Sequence, residues 1–136
     1  MDFQLENGAW RSQACLRNQD IVVRVKSPAL RPAASKEQIA TEALAAVESR
    51  WTELEQALLQ QAHQVYLRSW VPEGQAPVDS AAFLGAIRVK ALTVDIEDET
   101  LASQFLYFDD SDLFGGHGIE VFVDGFDGSI SVDIVG

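Results

Sequence analysis

The chain switches between two hydrophobic periods, and each switch marks an element. Residues 9–16, AWRSQACL, and 20–26, DIVVRVK, are strand candidates. In the second, Ile21, Val23 and Val25 fall on one side and Val22, Arg24 and Lys26 on the other, the period of two that marks a half-buried strand. With Arg17-Asn18-Gln19 between them they read as a hairpin. Residues 27–34, SPALRPAA, contain two prolines, which cannot donate to a ladder, so this stretch is a connector.

From Ser35 the period becomes helical. Ser35 and Gln38 have capping-box spacing, with the hydroxyl placed to accept from the Gln38 amide. Apolar residues then recur at Ile39, Ala43, Val47, Trp51, Leu54, Leu58, Ala62 and Val65, holding one stripe toward a partner surface. No glycine or proline interrupts residues 36–70, so the pattern predicts one long helix, on the order of 50 Å at ~1.5 Å per residue. That exceeds what a domain of this size comfortably covers, which makes a bend or break near Ser49–Trp51 the alternative. His63, without a second histidine or cysteine at ligand spacing, reads as a packed side chain. Trp51 and Trp70 read as core anchors. Residues 71–80, VPEGQAPVDS, form a loop, with Asp79 or Ser80 placed to cap a short helix through Ala81–Ile87.

The period of two then returns. Leu92, Val94 and Ile96 give a third strand, Leu101–Phe108 a fourth, Ile119, Val121 and Val123 a fifth, and Ile130, Val132 and Ile134 a sixth. Short polar links join these last four, which favours an antiparallel meander. The expected class is α+β: an antiparallel sheet, made of an N-terminal hairpin and a C-terminal four-strand meander, packed by one long helix, continuous or broken. At 136 residues the chain suits a single domain, 1–136, able to bury a core without staples.

Charge changes the picture. Residues 91–136 contain no lysine or arginine and eleven acids: Asp95, Glu97, Asp98, Glu99, Asp109, Asp110, Asp112, Glu120, Asp124, Asp127 and Asp133. The other ninety residues hold ten acids and ten bases, so the formal net charge of −11 sits in the last third. A sequence pI near 4.4 argues against nucleic-acid or anionic-membrane binding, since both place lysine and arginine opposite phosphates. The electrostatic complement is a basic protein. Cys15, the single cysteine, excludes an internal disulfide and is expected as a small buried apolar residue. MDFQLENGAW has neither a basic nor an apolar leader region, and no run reaches the ~18 apolar residues of a membrane helix. The expected location is the cytoplasm.

Candidate chemistry is sparse. Asp109, Asp110 and Asp112 crowd one loop, but aligning Asp110 as the first position of a calcium loop places Phe114 at the fifth and Val121 at the twelfth, where the bidentate glutamate belongs. No metal or other cofactor is expected. Asp110, Asp112 and Glu120 could pair as acid and base, and His117, inside Gly115-Gly116-His117-Gly118, could serve as a base or proton switch. No serine or cysteine nucleophile has motif context there, and the phosphate-loop lysine is absent. No catalytic set is assigned.

The segment FDDSDLFGGHGIEVFVDGFDGSISVDIVG resembles a group of small bacterial domains of unknown function. Its features are the acidic loop Asp109–Asp112, the aromatic Phe114, the turn Gly116-His117-Gly118, the alternating strand Ile119–Val123 and the closing pair Val135-Gly136. The group resembles immunity proteins of polymorphic and contact-dependent toxin systems, and that likeness implies binding and neutralising a cognate toxin. Charge and resemblance together predict a non-enzymatic bacterial binding protein, monomer or homodimer, whose acidic C-terminal surface meets a basic toxin through Asp109, Asp110, Asp112, Phe114, His117, Glu120, Asp124, Phe126 and Asp127. One rival expectation is a small hydrolase or metal-dependent enzyme using His117 with Asp110, Asp112 or Glu120. Another is a scaffold dimerising through Ala46, Leu59 and Leu67.

Overall fold

The computed structural model describes all 136 residues. Seven strands form one sheet in chain order: β1 (Gln4–Glu6), β2 (Ala9–Leu16), β3 (Gln19–Lys26), β4 (Arg88–Ile96), β5 (Ala102–Asp109), β6 (Gly118–Val123) and β7 (Ile130–Val135). The class is α+β. Every neighbouring pair is antiparallel except β3 and β4, which run parallel with Val23 beside Leu92 and Val25 beside Val94. A parallel neighbour needs a long crossover, and residues 27–87 supply it, including every helix of the chain. The expectation of a wholly antiparallel sheet of six strands is corrected at two points: the hairpin joins the meander through a parallel pair, and β1 extends the sheet by a strand that the sequence did not signal. The β1 segment is three residues long and fully exposed, too short for an alternation to register.

The single long helix is corrected. Residues 36–69 form α1 (Lys36–Ser49), α2 (Trp51–Ala57), a π-helical turn (Leu58–His63) and α3 (Gln64–Ser69). Arg50 breaks the run with φ −108 and ψ 16, beside Ser49, whose hydroxyl donates to the Ala46 carbonyl at 2.8 Å. The break falls where the length argument placed its alternative. It lets α1 lie over β2, β3 and β4 while α2 and the π turn cross to β7, which a straight rod over a twisted sheet cannot do. Ser35 caps α1 by accepting from Gln38 N at 3.0 Å, and Asp79 caps α4 (Ser80–Ala86) by accepting from Ala82 N at 2.8 Å.

All the helices lie on one side of the sheet. Between them and the strands sit Val23, Val25, Leu92, Val94, Leu106, Ile119 and Val121, fully buried with Ile39, Val47, Leu54, Leu58 and Phe83 from the helical layer. The π turn moves burial at the end of the stripe from Val65, half-buried, to His63 and Tyr66. His63 Nε2 hydrogen-bonds the Val78 carbonyl at 3.0 Å and the Tyr66 hydroxyl accepts from Val78 N at 3.1 Å, so these two side chains pin the loop before α4. His63 is thus a packed histidine. Trp51 and Trp70 are half-buried against the core. Cys15 corrects the expectation of burial: it is exposed on the helix-free face of β2. No helix is long and apolar enough to cross a membrane.

Candidate functional site

The strand order divides the predicted site residues among three places, the two ends of the sheet and the face between them. Because β4 to β7 alternate in direction, the β4–β5 and β6–β7 turns leave one end of the sheet and the β5–β6 loop leaves the other. At ~3.3 Å per residue, the six residues of β6 separate the two ends by roughly 20 Å. The acids of the expected acidic C-terminal surface therefore occupy two ends and the face between them rather than one patch.

At the β5–β6 end, Asp110 is 3% exposed. Its carboxylate accepts from Asp112 N (3.0 Å), Phe114 N (3.0 Å) and Gly116 N (3.1 Å). These bonds wind the loop through positive φ at Ser111, Asp112, Gly115 and Gly116, where glycine costs least and aspartate is tolerated. Winding the loop drives Phe114 inward, fully buried against Tyr66, Trp70 and Phe83. Asp110 and Phe114, both predicted as contact residues, are thus interior, and the pattern that mimicked part of a calcium loop is an anchor for backbone N–H groups. Asp109 and Asp112 remain outside.

His117 is half-buried with its ring edge-on to Trp70, 5.5 Å between centroids. Its ring makes no hydrogen bond, and no carboxylate lies within hydrogen-bond reach of it; its backbone N–H donates to Phe114 O at 3.2 Å. It does not line the concavity that holds Glu120. Glu120 lies apart from it on the helix-free face, beside Tyr107 of β5 and Asp133 of β7. The geometry brings His117 together with none of its three proposed acid partners.

The opposite end gathers more. Asp124 Oδ1 accepts from Phe126 N at 2.7 Å and Asp127 Oδ1 from Ser129 N at 2.8 Å, folding the β6–β7 turn on itself. Asp98 Oδ1 does the same for the β4–β5 turn, accepting from Thr100 N, Leu101 N and the Thr100 hydroxyl. The turns touch: Gly125 N donates to the Ser103 hydroxyl at 3.1 Å, that hydroxyl donates to Glu97 at 2.7 Å, and a Cβ at Gly125 would collide with the Ala102 carbonyl. The Thr100 and Leu101 N–H groups hold Asp98 below the ordinary carboxylate value, and Ser129 does so for Asp127. Both therefore stay ionised to a lower pH than an unbonded aspartate.

The result is a braced tip of two turns, one carrying Glu97, Asp98 and Glu99 and the other Asp124, Asp127 and Phe126, whose side chain is 82% exposed. None of the chain's ion pairs involves these acids, or any acid of residues 91–136. Glu97, Asp98 and Glu99 were absent from the residues singled out by sequence, although they belong to the same acidic run. What assigns them to Phe126 is strand order, which no local pattern encodes. The dimer stripe fares differently: Leu59 packs on the core while Ala46 and Leu67 stay exposed, so the three form no continuous outer face. No family model matches the chain, and neither a curated protein nor a solved structure is significantly similar to it.

Proposed function

We propose that the chain is a non-enzymatic protein-binding module that docks a basic protein through the tip carrying Phe126. The observation behind this is a phenylalanine 82% exposed on two mutually braced turns that carry five carboxylates, none of them in an ion pair, with Arg31 and Arg50 at their margins. Each part has a separate job. The carboxylates accelerate encounter with a cationic surface, at the cost of salt sensitivity. Phe126 enters an apolar pocket and slows dissociation, as central aromatic anchors do. The internal hydrogen bonds fix the tip before contact, so little ordering entropy is lost on binding.

The resemblance of residues 105–136 to a group of small bacterial domains that itself resembles immunity proteins extends the reading: the basic surface belongs to a toxin, such as a nuclease with a cationic substrate groove, and the module neutralises it by covering that groove. The test begins with capture from a host extract at low and high salt, followed by binding kinetics on the captured protein. Neutralising Glu97, Asp124 and Asp127 is expected to lower the association rate about tenfold at low salt, and Phe126→Ala to raise the dissociation rate by a similar factor. Asp109→Asn with Asp112→Asn, at the far end, should change neither. Wild-type kinetics for the tip variants would remove the proposal, and a toxin relieved in cells by the wild type but not by Phe126→Ala would establish its immunity form.

A further inference from the structure

A cleft of about 230 Å³ opens where α2, the end of α4 and the start of β4 meet the β2–β3 turn. It lies at the opposite end of the sheet from Phe126. Leu58, Ile87, Val89 and Phe108 form its buried apolar floor, with half-buried Trp51 and Leu84 beside them. Gly85 lines it from the last turn of α4. The φ of Gly85 is not positive, and a Cβ there would meet nothing within 4 Å. Neither a turn nor close packing therefore calls for glycine, and alanine would suit the helix better. What glycine adds is open space and an approachable backbone on the wall of the cleft.

The polar lining is Arg17 from the β2–β3 turn, Gln19 from β3, Glu55 from α2 and Arg88 from β4. Arg17 is already engaged: it donates to Glu48 of α1 at 3.1 Å and lies over the Trp51 ring, 4.9 Å from its centroid. Asp109, cross-strand from Arg88, accepts from Ser111 N at 3.1 Å within its own loop. Glu55, half-buried, and Arg88, exposed, form no ion pair with each other or with any other group. A purely anionic occupant would meet Glu48, Glu55 and Asp109, and a purely cationic one Arg17 and Arg88. A molecule with one charge of each sign satisfies both free groups.

We propose that this cleft binds a small zwitterion with an apolar body, an apolar α-amino acid. Its carboxylate meets Arg88 and the Gln19 amide, and its ammonium group meets Glu55. Its side chain covers Leu58, Val89 and Phe108 beside Trp51, where burial of apolar surface adds to the charge contacts. The cleft lies under the roughly 300–1,000 Å³ of pockets that hold drug-sized ligands, which suits a single amino acid and excludes a folded segment. Gly85 lets the ligand approach the α4 backbone. This site is independent of the tip, so either can exist without the other.

Titration of the full chain with L-leucine and L-phenylalanine up to about 10 mM, followed by amide and indole NMR shifts, reads the binding. Saturable shifts are expected at Gln19, Trp51, Glu55, Gly85 and Arg88 and not at Phe126. Isocaproate and isoamylamine, which are leucine without its ammonium and without its carboxylate, should each bind at least about tenfold more weakly than leucine, since a charge-assisted hydrogen bond is lost. Glu55→Gln should bring leucine and isocaproate to the same affinity, and Arg88→Gln should do so for leucine and isoamylamine. The same spectra show that each variant is folded, and Phe126→Ala should bind leucine as the wild type does. Absence of saturable shifts with both amino acids overturns the proposal. So does either single-charge analogue binding as tightly as leucine, or wild-type affinity for leucine in the Glu55 and Arg88 variants.

Discussion

Asp110 shows how far a residue's role can depart from its type. A carboxylate in an acidic loop reads as surface, yet this one is buried and ties three backbone N–H groups. Bonds to a charged acceptor contribute more than neutral ones, and removing the acceptor leaves buried donors unpaired. Asp110→Ala is therefore expected to lower unfolding free energy by about 3 kcal/mol or more in urea denaturation, with Asp110→Asn, which keeps one acceptor oxygen, losing less. A loss under about 1 kcal/mol would mean that Phe114 burial alone holds the loop. Asp98 and Asp127 make a different prediction, because both are exposed and titrate below the ordinary 3.8. A carboxyl group depressed on folding adds stability above its unfolded value, and that stability is lost as pH falls through the folded value. The stability difference between wild type and the double variant Asp98→Asn, Asp127→Asn should thus hold constant from about pH 7 to pH 5 and shrink below about pH 3.8. A difference that persists unchanged at lower pH would assign it to shape rather than ionisation.

Elements were legible where their pattern is local. The alternation in residues 19–26, 88–96 and 118–123 gave strands, and Ser35 with Gln38 gave the start of α1, though the Gln38 side chain reaches forward to Glu42 rather than back to the cap. The π turn was not legible, since Leu58–His63 contains only good helix formers and histidine. Its consequence is positional. Gln61 reaches the edge of β7, where Oε1 accepts from Val132 N at 2.9 Å and Nε2 donates to Ile130 O at 3.5 Å. An open strand edge is a template for unwanted pairing, and one glutamine here occupies two of its groups. Gln61→Ala should cost roughly 1–2 kcal/mol and speed hydrogen exchange at the Val132 amide. Unchanged exchange there would show that this side chain does not latch the edge.

For the whole molecule, the governing fact is a net charge of −11 offset by only a few exposed ion pairs, all outside residues 91–136. Exposed pairs of this kind contribute little, whereas like charges at the tip and along the face repel within a Debye length. Raising salt from about 20 to about 200 mM shortens that length from roughly 20 to roughly 7 Å. Thermal unfolding of dilute protein is accordingly expected to shift upward by several degrees over that range. A downward shift would mean that attraction between opposite charges outweighs the repulsion. Either sign reports on the distribution of charge rather than on its total.

The sequence by itself determined six of the seven strands, the start of the helical run at Ser35 and the uniform acidity of the last third, because periodicity, caps and charge counts are properties of neighbours along the chain. The unbroken helical phase favoured one long helix, and only its length offered the break near Ser49–Trp51 as the alternative that the fold adopts. Only the tertiary structure decided that β3 lies beside β4, that Asp110 and Phe114 turn inward while Glu97–Glu99 join Phe126, and that the acids divide between two ends. Those outcomes depend on strand order and on the long crossover through residues 27–87, which bring together groups far apart in the chain and leave no local pattern.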